Sequence, residues 1–316
     1  MALPSKPAFL AWIVPALLVW GGLPFMVPHA FTDLLVFTGL YYIAGLGVAL
    51  ALGQCGIVNL GQALFFGIGA YASAALSTRG VPILGGVLAG MLITAAIAGA
   101  LGWAILRLHG YFLGLATLAL GIIGHTLFFE WEGLTGGTLG IGGIPKPVVF
   151  GLVIDGAQAY FYLVWGVALA VTWMANNLIR GRTGLLLRAG RDSAEAATSL
   201  GIRLRAMRTL VFVLCALLGS LAGSLFAHHA SFVSVDSFGL GKSLIFLLVP
   251  VLGGMRSPAG VLLGAVFVSF VPYLLSRLGD VHQVLFGLAM IAVVVLMPNG
   301  LFGWLSTVVR RGKAHG

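Results

Sequence analysis

LLVFTGLYYIAGLGVALALGQCGIVNLGQALFFGIGAYASAALST, residues 34–78, runs from Asp33 to Arg79 without one Asp, Glu, Lys or Arg. A membrane-crossing helix takes about 20 apolar residues, so this stretch has room for two crossings and decides the fold class. The same kind of gap recurs between Arg79 and Arg107, Asp155 and Arg180, Arg208 and Asp236, and Asp280 and Arg310. Across the 316 residues only 8% are charged and 60% are hydrophobic, with a mean hydropathy of +1.09. A soluble domain carries about 25% charged residues, so a soluble enzyme is excluded. The apolar runs are also too long and too continuous for the alternating strands of a membrane β-barrel. The expected fold is an all-α integral membrane bundle. Its 47 glycines fit close helix packing, with small-xxx-small pairs at Gly110/Gly114, Gly219/Gly223 and Gly260/Gly264.

Ten spans are expected, near 8–27, 31–52, 55–78, 82–106, 110–130, 158–180, 208–229, 241–255, 258–276 and 283–304. The first has only Lys6 ahead of it and no clear small-residue cleavage site, so it reads as a span rather than a signal peptide. With both termini cytoplasmic, thirteen of the seventeen Lys and Arg fall inside and only Arg79, Lys146, Lys242 and Arg277 outside. That is the bias expected of cytoplasmic loops. The net charge of +9 therefore reads as membrane orientation, and no basic patch interleaved with aromatics suggests nucleic acid. The eighth and ninth spans are short and separated by Gly253-Gly254-Met255-Arg256-Ser257-Pro258; a tight turn and a re-entrant pair both fit.

Residues 180–208 differ from the rest, with seven arginines against Asp192 and Glu195. Asp192 followed three residues later by Glu195 reads as an acidic capping box. It predicts a two-turn helix from Ser193 to Leu200, stopped by a left-handed Gly201. Such a helix is marginal alone in water and needs a surface. Two readings are open: a loop lying on anionic headgroups, or a docking helix whose alanines enter a partner's groove.

Asn59 and Gln62, three apart, are expected to share a helix face beside the glycine-rich start of the third span. They are either interhelical glue or the lining of a solute path, to which Gly61 and Ser243 also belong. His125 reads as bonded to a neighbouring helix, and His228 and His229 as interfacial. Asp236 and Lys242 bracket the outer start of the eighth span, as a pair or as contacts for an external protein. Cys55 and Cys215 read as isolated buried thiols. No paired carboxylates, Ser-His-Asp set or metal cluster stands out, and Gly136 to Gly143 lacks the Lys-Ser/Thr of a phosphate loop. No cofactor is expected, and with no ATP site visible in the sequence the energy for any transport must come from elsewhere.

Four stretches, in order, resemble the permease subunits of branched-chain amino-acid ABC importers of the LivM type. They are Gly53 through Tyr71; Leu134-Thr135-Gly136-Gly137-Thr138-Leu139-Gly140-Ile141; Gly181-Arg182 with Arg188 through Gly201; and Ser220 through Asp236-Ser237-Phe238 to Val251-Leu252-Gly253-Gly254-Met255 and Gly264-Ala265. The resemblance covers most of the chain after residue 40. It implies a single permease domain over residues 1–316 in a bacterial inner membrane, similar to ten-helix vitamin-B12-type (type II) importer permeases built from inverted repeats. It also implies a second, related permease chain, cytoplasmic ATP-binding subunits and an external solute-binding protein. Residues 181–207 then form the cytoplasmic coupling segment, with Arg188, Arg191, Asp192, Glu195, Ala196, Ala197 and Gly201 contacting the ATPase. The chain departs from the family at Asn59-Leu60-Gly61-Gln62, where Ser-Leu-Gly-His is common, and at Val235, where Pro is common. The implied substrates are branched-chain amino acids, with urea or short amides as the alternative within the family. A self-sufficient secondary transporter or channel is the alternative outside it.

Overall fold

The computed structural model describes residues 28–304, apart from 109, 150, 151, 298 and 299. The expected first span, 8–27, lies outside the described residues, as does the basic carboxyl terminus. Six helices are long and apolar enough to cross a membrane: α1 (His29–Cys55), α3 (Ile83–Ile105), α4 (Tyr111–Glu130), α5 (Ala157–Arg180), α8 (Leu204–Ala230) and α10 (Pro258–Leu275). A seventh segment, Val235–Gly253, is a 3-10 turn leading into α9 (Leu240–Gly253). Two shorter apolar helices are α2 (Gln62–Ser77) and α11 (His282–Leu296), and α6 (Arg182–Asp192) and α7 (Ala194–Ser199) stand between α5 and α8. The described chain also holds a four-residue helix (Glu132–Thr135), 3-10 turns at Gly137–Leu139 and Ser276–Val281, and two small antiparallel ribbons. β1 (Ile141–Gly142) pairs with β4 (Phe232–Val233), and β2 (Val148–Val149) pairs with β3 (Leu152–Val153).

The expected spans from 31 to 276 correspond to helices α1 to α5 and α8 to α10, with two corrections. The third, expected over 55–78, begins only at Gln62, because α1 ends in a left-handed Gly56 (φ 68°). Gly56 N donates to Leu52 O and Ile57 N to Ala51 O at 3.1 and 3.0 Å, the paired bonds of a Schellman stop. The tenth, expected over 283–304, is broken: α11 ends at Leu296 and residues 300–304 are helical again.

Helices α1 and α8 form the centre: 78% and 67% of their apolar windows are buried, against 22% for α5. They run antiparallel, Asp33 of α1 meeting His229 of α8 and Gly47 meeting Cys215. Each carries a short helix running in its own direction. Along α8, α2 pairs Gln62 with Cys215 and Ser73 with His228. Along α1, α9 pairs Lys242 with Tyr41 and Gly45 with Val249. Outside these lie α3 against α2 and α8, and α10 against α9 and α1. The order α1–α2–α3 is thus repeated by α8–α9–α10 with direction reversed, an inverted repeat. The equivalent of 56–61 is the link 231–239, because both precede the short helix.

Of the small-xxx-small pairs, two sit at close crossings. A Cβ on Gly223 would meet the Phe66 carbonyl of α2, and one on Gly264 the Val249 carbonyl of α9. Gly114 has only Val58 Cγ1 nearby, at 3.9 Å, and Gly110 has nothing within 4 Å, so that pair packs no helix closely.

Candidate functional site

The two short helices start inside the bundle. Gln62, first residue of α2, reaches Ala44 O and Cys215 O with Nε2 at 3.4 and 2.9 Å, and Ala44 lies near the middle of the 27-residue α1. Ala63 N, in the first turn of α2, donates to Ser243 Oγ in the first turn of α9 at 3.0 Å. The helices therefore meet start to start at mid-bundle, through one side chain that satisfies an otherwise orphaned N–H.

Asn59 and Gln62 are both fully buried, yet they do not share a helix face, because Asn59 lies in the link 56–61. Their contact is direct: Asn59 Nδ2 donates to Gln62 Oε1 at 2.9 Å and approaches Cys215 Sγ at 3.4 Å. Asn59 Oδ1 accepts from Gly61 N at 3.0 Å, and Cys215 Sγ donates to Gln62 Oε1 at 3.3 Å. Every polar atom of both amides is used, so in this conformation they act as glue between α1, α2 and α8. A buried amide left unmade would cost about 1–3 kcal/mol. Thr117 of α4 completes the link, accepting from Leu60 N at 3.1 Å and donating to Val58 O at 3.2 Å. The sequence marks Cys215 only as a buried thiol and does not single out Thr117, since single small polar residues in apolar runs carry no signal that separates them from ordinary packing.

Lys242 also differs from expectation. It is neither in an outer loop nor paired with Asp236. Its Nζ donates to Tyr41 Oη at 2.9 Å and stands 4.9 Å from the Tyr41 ring centre. The 3-10 turn before it dips inward, with Phe238 buried against Phe66, Tyr71 and Phe128, and this carries Lys242 down to the level of Tyr41.

At the expected cytoplasmic end, the arginines close the end of α1. Arg188 Nη1 donates to Gln54 Oε1 at 2.9 Å and to Ile179 O at 3.0 Å, and Arg191 Nη1 donates to Gly53 O at 2.6 Å. Cations at the carbonyl end of a helix complement its dipole. The expected capping is corrected. Asp192 is the last residue of α6, and Ser193 caps α7, its Oγ accepting from Ala196 N at 3.3 Å. Glu195 is the second helical residue, where its charge suits the helix start without closing a box. Gly201 is left-handed (φ 80°) and its N–H bonds Thr198 O. Ala197 faces the interior while Ala196 is exposed. The apolar group offered outward is Leu200, 80% exposed. Replacing Ser193 with Ala is expected to destabilise α7 by about 1 kcal/mol, raising amide hydrogen exchange over 194–199 about fivefold. Asp192→Ala is expected to leave that exchange unchanged.

His228 and His229 stand in the last turn of α8, at its expected outer end, and both are held by partners. His228 is buried, Nε2 at 2.9 Å from Ser73 Oγ and Nδ1 at 2.9 Å from Pro145 O, tying α8 to α2 and to the loop before β2. His229 Nε2 lies 3.6 Å from Asp33 Oδ1. His125 of α4 sits beside Gly239, 3.8 Å from where a Cβ would be. Thr135, in the second resembling stretch, bonds Phe128 O and Trp131 O at 2.6 and 2.8 Å, fixing the turn that leads to β1. Among the described residues no group of three His, Cys, Asp or Glu is placed to hold a metal.

Residues 30–294 match the family described as branched-chain amino acid transport system / permease component. Among relatives, the high-affinity branched-chain amino acid transport system permease protein LivM of Escherichia coli is 30% identical, over 94% of this chain and 75% of its own. The probable branched-chain amino acid transport permease protein LivM of Methanocaldococcus jannaschii is 25% identical over 85% and 92%. The autoinducer 2 import system permease protein LsrC of Yersinia pseudotuberculosis is 27% identical over 67% and 56%. The match spans both halves of the inverted repeat and the arginine-rich segment between them, and the chain therefore belongs to the branched-chain amino-acid transport-system permease family.

Proposed function

We propose that this chain is the membrane permease subunit of an ATP-driven importer that carries branched-chain amino acids across the bacterial inner membrane. Family membership supports the permease role, and the names of the LivM relatives support the substrate. The LsrC relative keeps another small polar solute as the second reading of the substrate. Ten spans with both termini cytoplasmic form one domain, and residues 181–207 couple it to the ATPase. A second, related permease chain, two ATP-binding subunits and an external solute-binding protein complete the assembly, and hydrolysis takes place on the ATP-binding subunits.

The observation that carries the coupling role is the division of labour in α6–α7. Arg188 and Arg191 are committed to the end of α1, while α7 presents Ala196, Leu200 and Gly201 outward. A push on α7 is delivered to the central helix through α6 and these two arginines. Asn59, Gln62, Gly61 and Ser243 sit where the two half-length helices meet, and alternating access opens the path there as the repeats move against each other. The test is purification of the tagged chain from its host in mild detergent, with its companions identified by mass spectrometry. A second permease and ATP-binding subunits are expected. Transport by the chain alone in proteoliposomes would replace this reading with a secondary transporter.

A further inference from the structure

Lys242 stands apart from every other cation in the described chain. Its partner Tyr41 is twelve residues from the start of α1 and fourteen from its end, or about 18 Å and 21 Å at the helical rise. The ammonium is therefore level with the middle of the central helix α1; in a bilayer a charge at that depth is costly and marks a solute or ion pathway. Lysines near helix ends ordinarily turn toward water; this one turns to Tyr41. The ion pairs among the described residues, Lys146 with Asp155 and His229 with Asp33, leave it without a carboxylate. One of its three donors is used, by Tyr41 Oη. Beside it, Gly241 has nothing within 4 Å of where a Cβ would be. The α1 face that holds Tyr41 also carries Phe37 and Asp33, at four-residue spacing. Those two line a cleft of about 290 Å³ at the outer end, with Lys146, Tyr160 and His229. A row of side chains on one helix face thus leads from the outside down to the unpaired ammonium.

We infer that Lys242 lines the solute path at mid-depth and receives the carboxylate of the transported solute, with Tyr41 holding the ammonium in place between transport events. This assignment rests on the importer reading and narrows it: the cargo bears an anionic group that neutralises Lys242 as it passes. A cation alone in a low-dielectric site attracts an anion far more strongly than it does in water, and it selects against solutes that lack one.

The test uses the complete importer in proteoliposomes with two variants and two probes, leucine and leucinamide. Lys242→Gln is expected to slow leucine uptake at least tenfold without slowing leucinamide uptake, while Lys242→Arg keeps leucine uptake within threefold of wild type. Leucine uptake by Lys242→Gln within twofold of wild type overturns the carboxylate role. A second measurement is independent of the cargo. The Lys242→Cys thiol is expected to react with a membrane-impermeant sulfonate thiol reagent during ATP turnover, above the background of the wild-type cysteines. Reaction only with a lipid-soluble maleimide overturns the path assignment. Wild-type liposomes that hydrolyse ATP yet carry no leucine would overturn the branched-chain substrate instead, and the labelling would still decide whether Lys242 faces the path.

Discussion

Gly223→Val is expected to abolish stable folding of the bundle, because the side chain has nowhere to go. The first added atom would overlap the carbonyl of Phe66 in α2, and its counterpart Gly69 meets the backbone of Ser220 in the same way. A clash with a flexible side chain can be relieved by a rotamer change, but a clash with backbone requires the α2–α8 crossing to separate. That crossing also holds Ser224 Oγ to Gly69 O at 3.0 Å and His228 to Ser73, so separation breaks these bonds too. Overpacking of a tight core costs about 1–3 kcal/mol, and this case belongs at or above the upper end. The measurement is the monodisperse fraction and melting temperature in mild detergent, with Gly166→Ala as the control. Gly166 has nothing within 4 Å of its would-be Cβ, and Ala for Gly in a helix gains up to about 1 kcal/mol. If Gly223→Val melts with the wild type, the close crossing is not what joins α2 to α8.

Gln62→Leu is expected to destabilise the protein by about 3 kcal/mol while preserving side-chain volume. The substitution leaves Asn59 Nδ2 with only a sulfur at 3.4 Å and removes the bond to Cys215 O. Buried groups deprived of partners cost about 1–3 kcal/mol each. Replacing Asn59 by Leu as well removes the stranded partner, so the double variant should cost less than the sum of the two singles, by at least about 1 kcal/mol. A denaturation series on the four proteins measures this. Additive losses would mean that the two amides act independently. An unchanged melting temperature with lost uptake would instead mark Gln62 as a contact of the passing solute.

Much of this architecture is written in local features of the sequence. The spans from α3 to α5 and α8 are legible because each is an uninterrupted apolar run bounded by charge or by glycine and proline. The arginine-rich segment is legible because nothing else in the chain resembles it. The cap of α7 lies one residue later than the sequence suggests, because Asp192 and Ser193 are both good caps and only the carbonyl pattern of α6 shows that the first is still helical. The late start of α2 was hidden because residues 56–61 are as apolar as a helix. Hydropathy measures transfer from water and is blind to backbone conformation. What permits the irregular link at that depth is a set of bonds from Asn59, Thr117 and Cys215, the last two far away in sequence.

The sequence by itself determined that the chain lives in a membrane, which family it resembles and where its cytoplasmic segment lies, because these depend on composition and on residues close together in the chain. Only the tertiary structure decided that α2 and α9 begin at mid-bundle, that Ser243 closes α2 across 180 residues of sequence, and that Lys242 meets Tyr41 at the middle of α1 rather than pairing with Asp236 in a loop. The physical reason is that a polar group's depth is set by the partner that satisfies it, and in this fold those partners come from the opposite half of an inverted repeat.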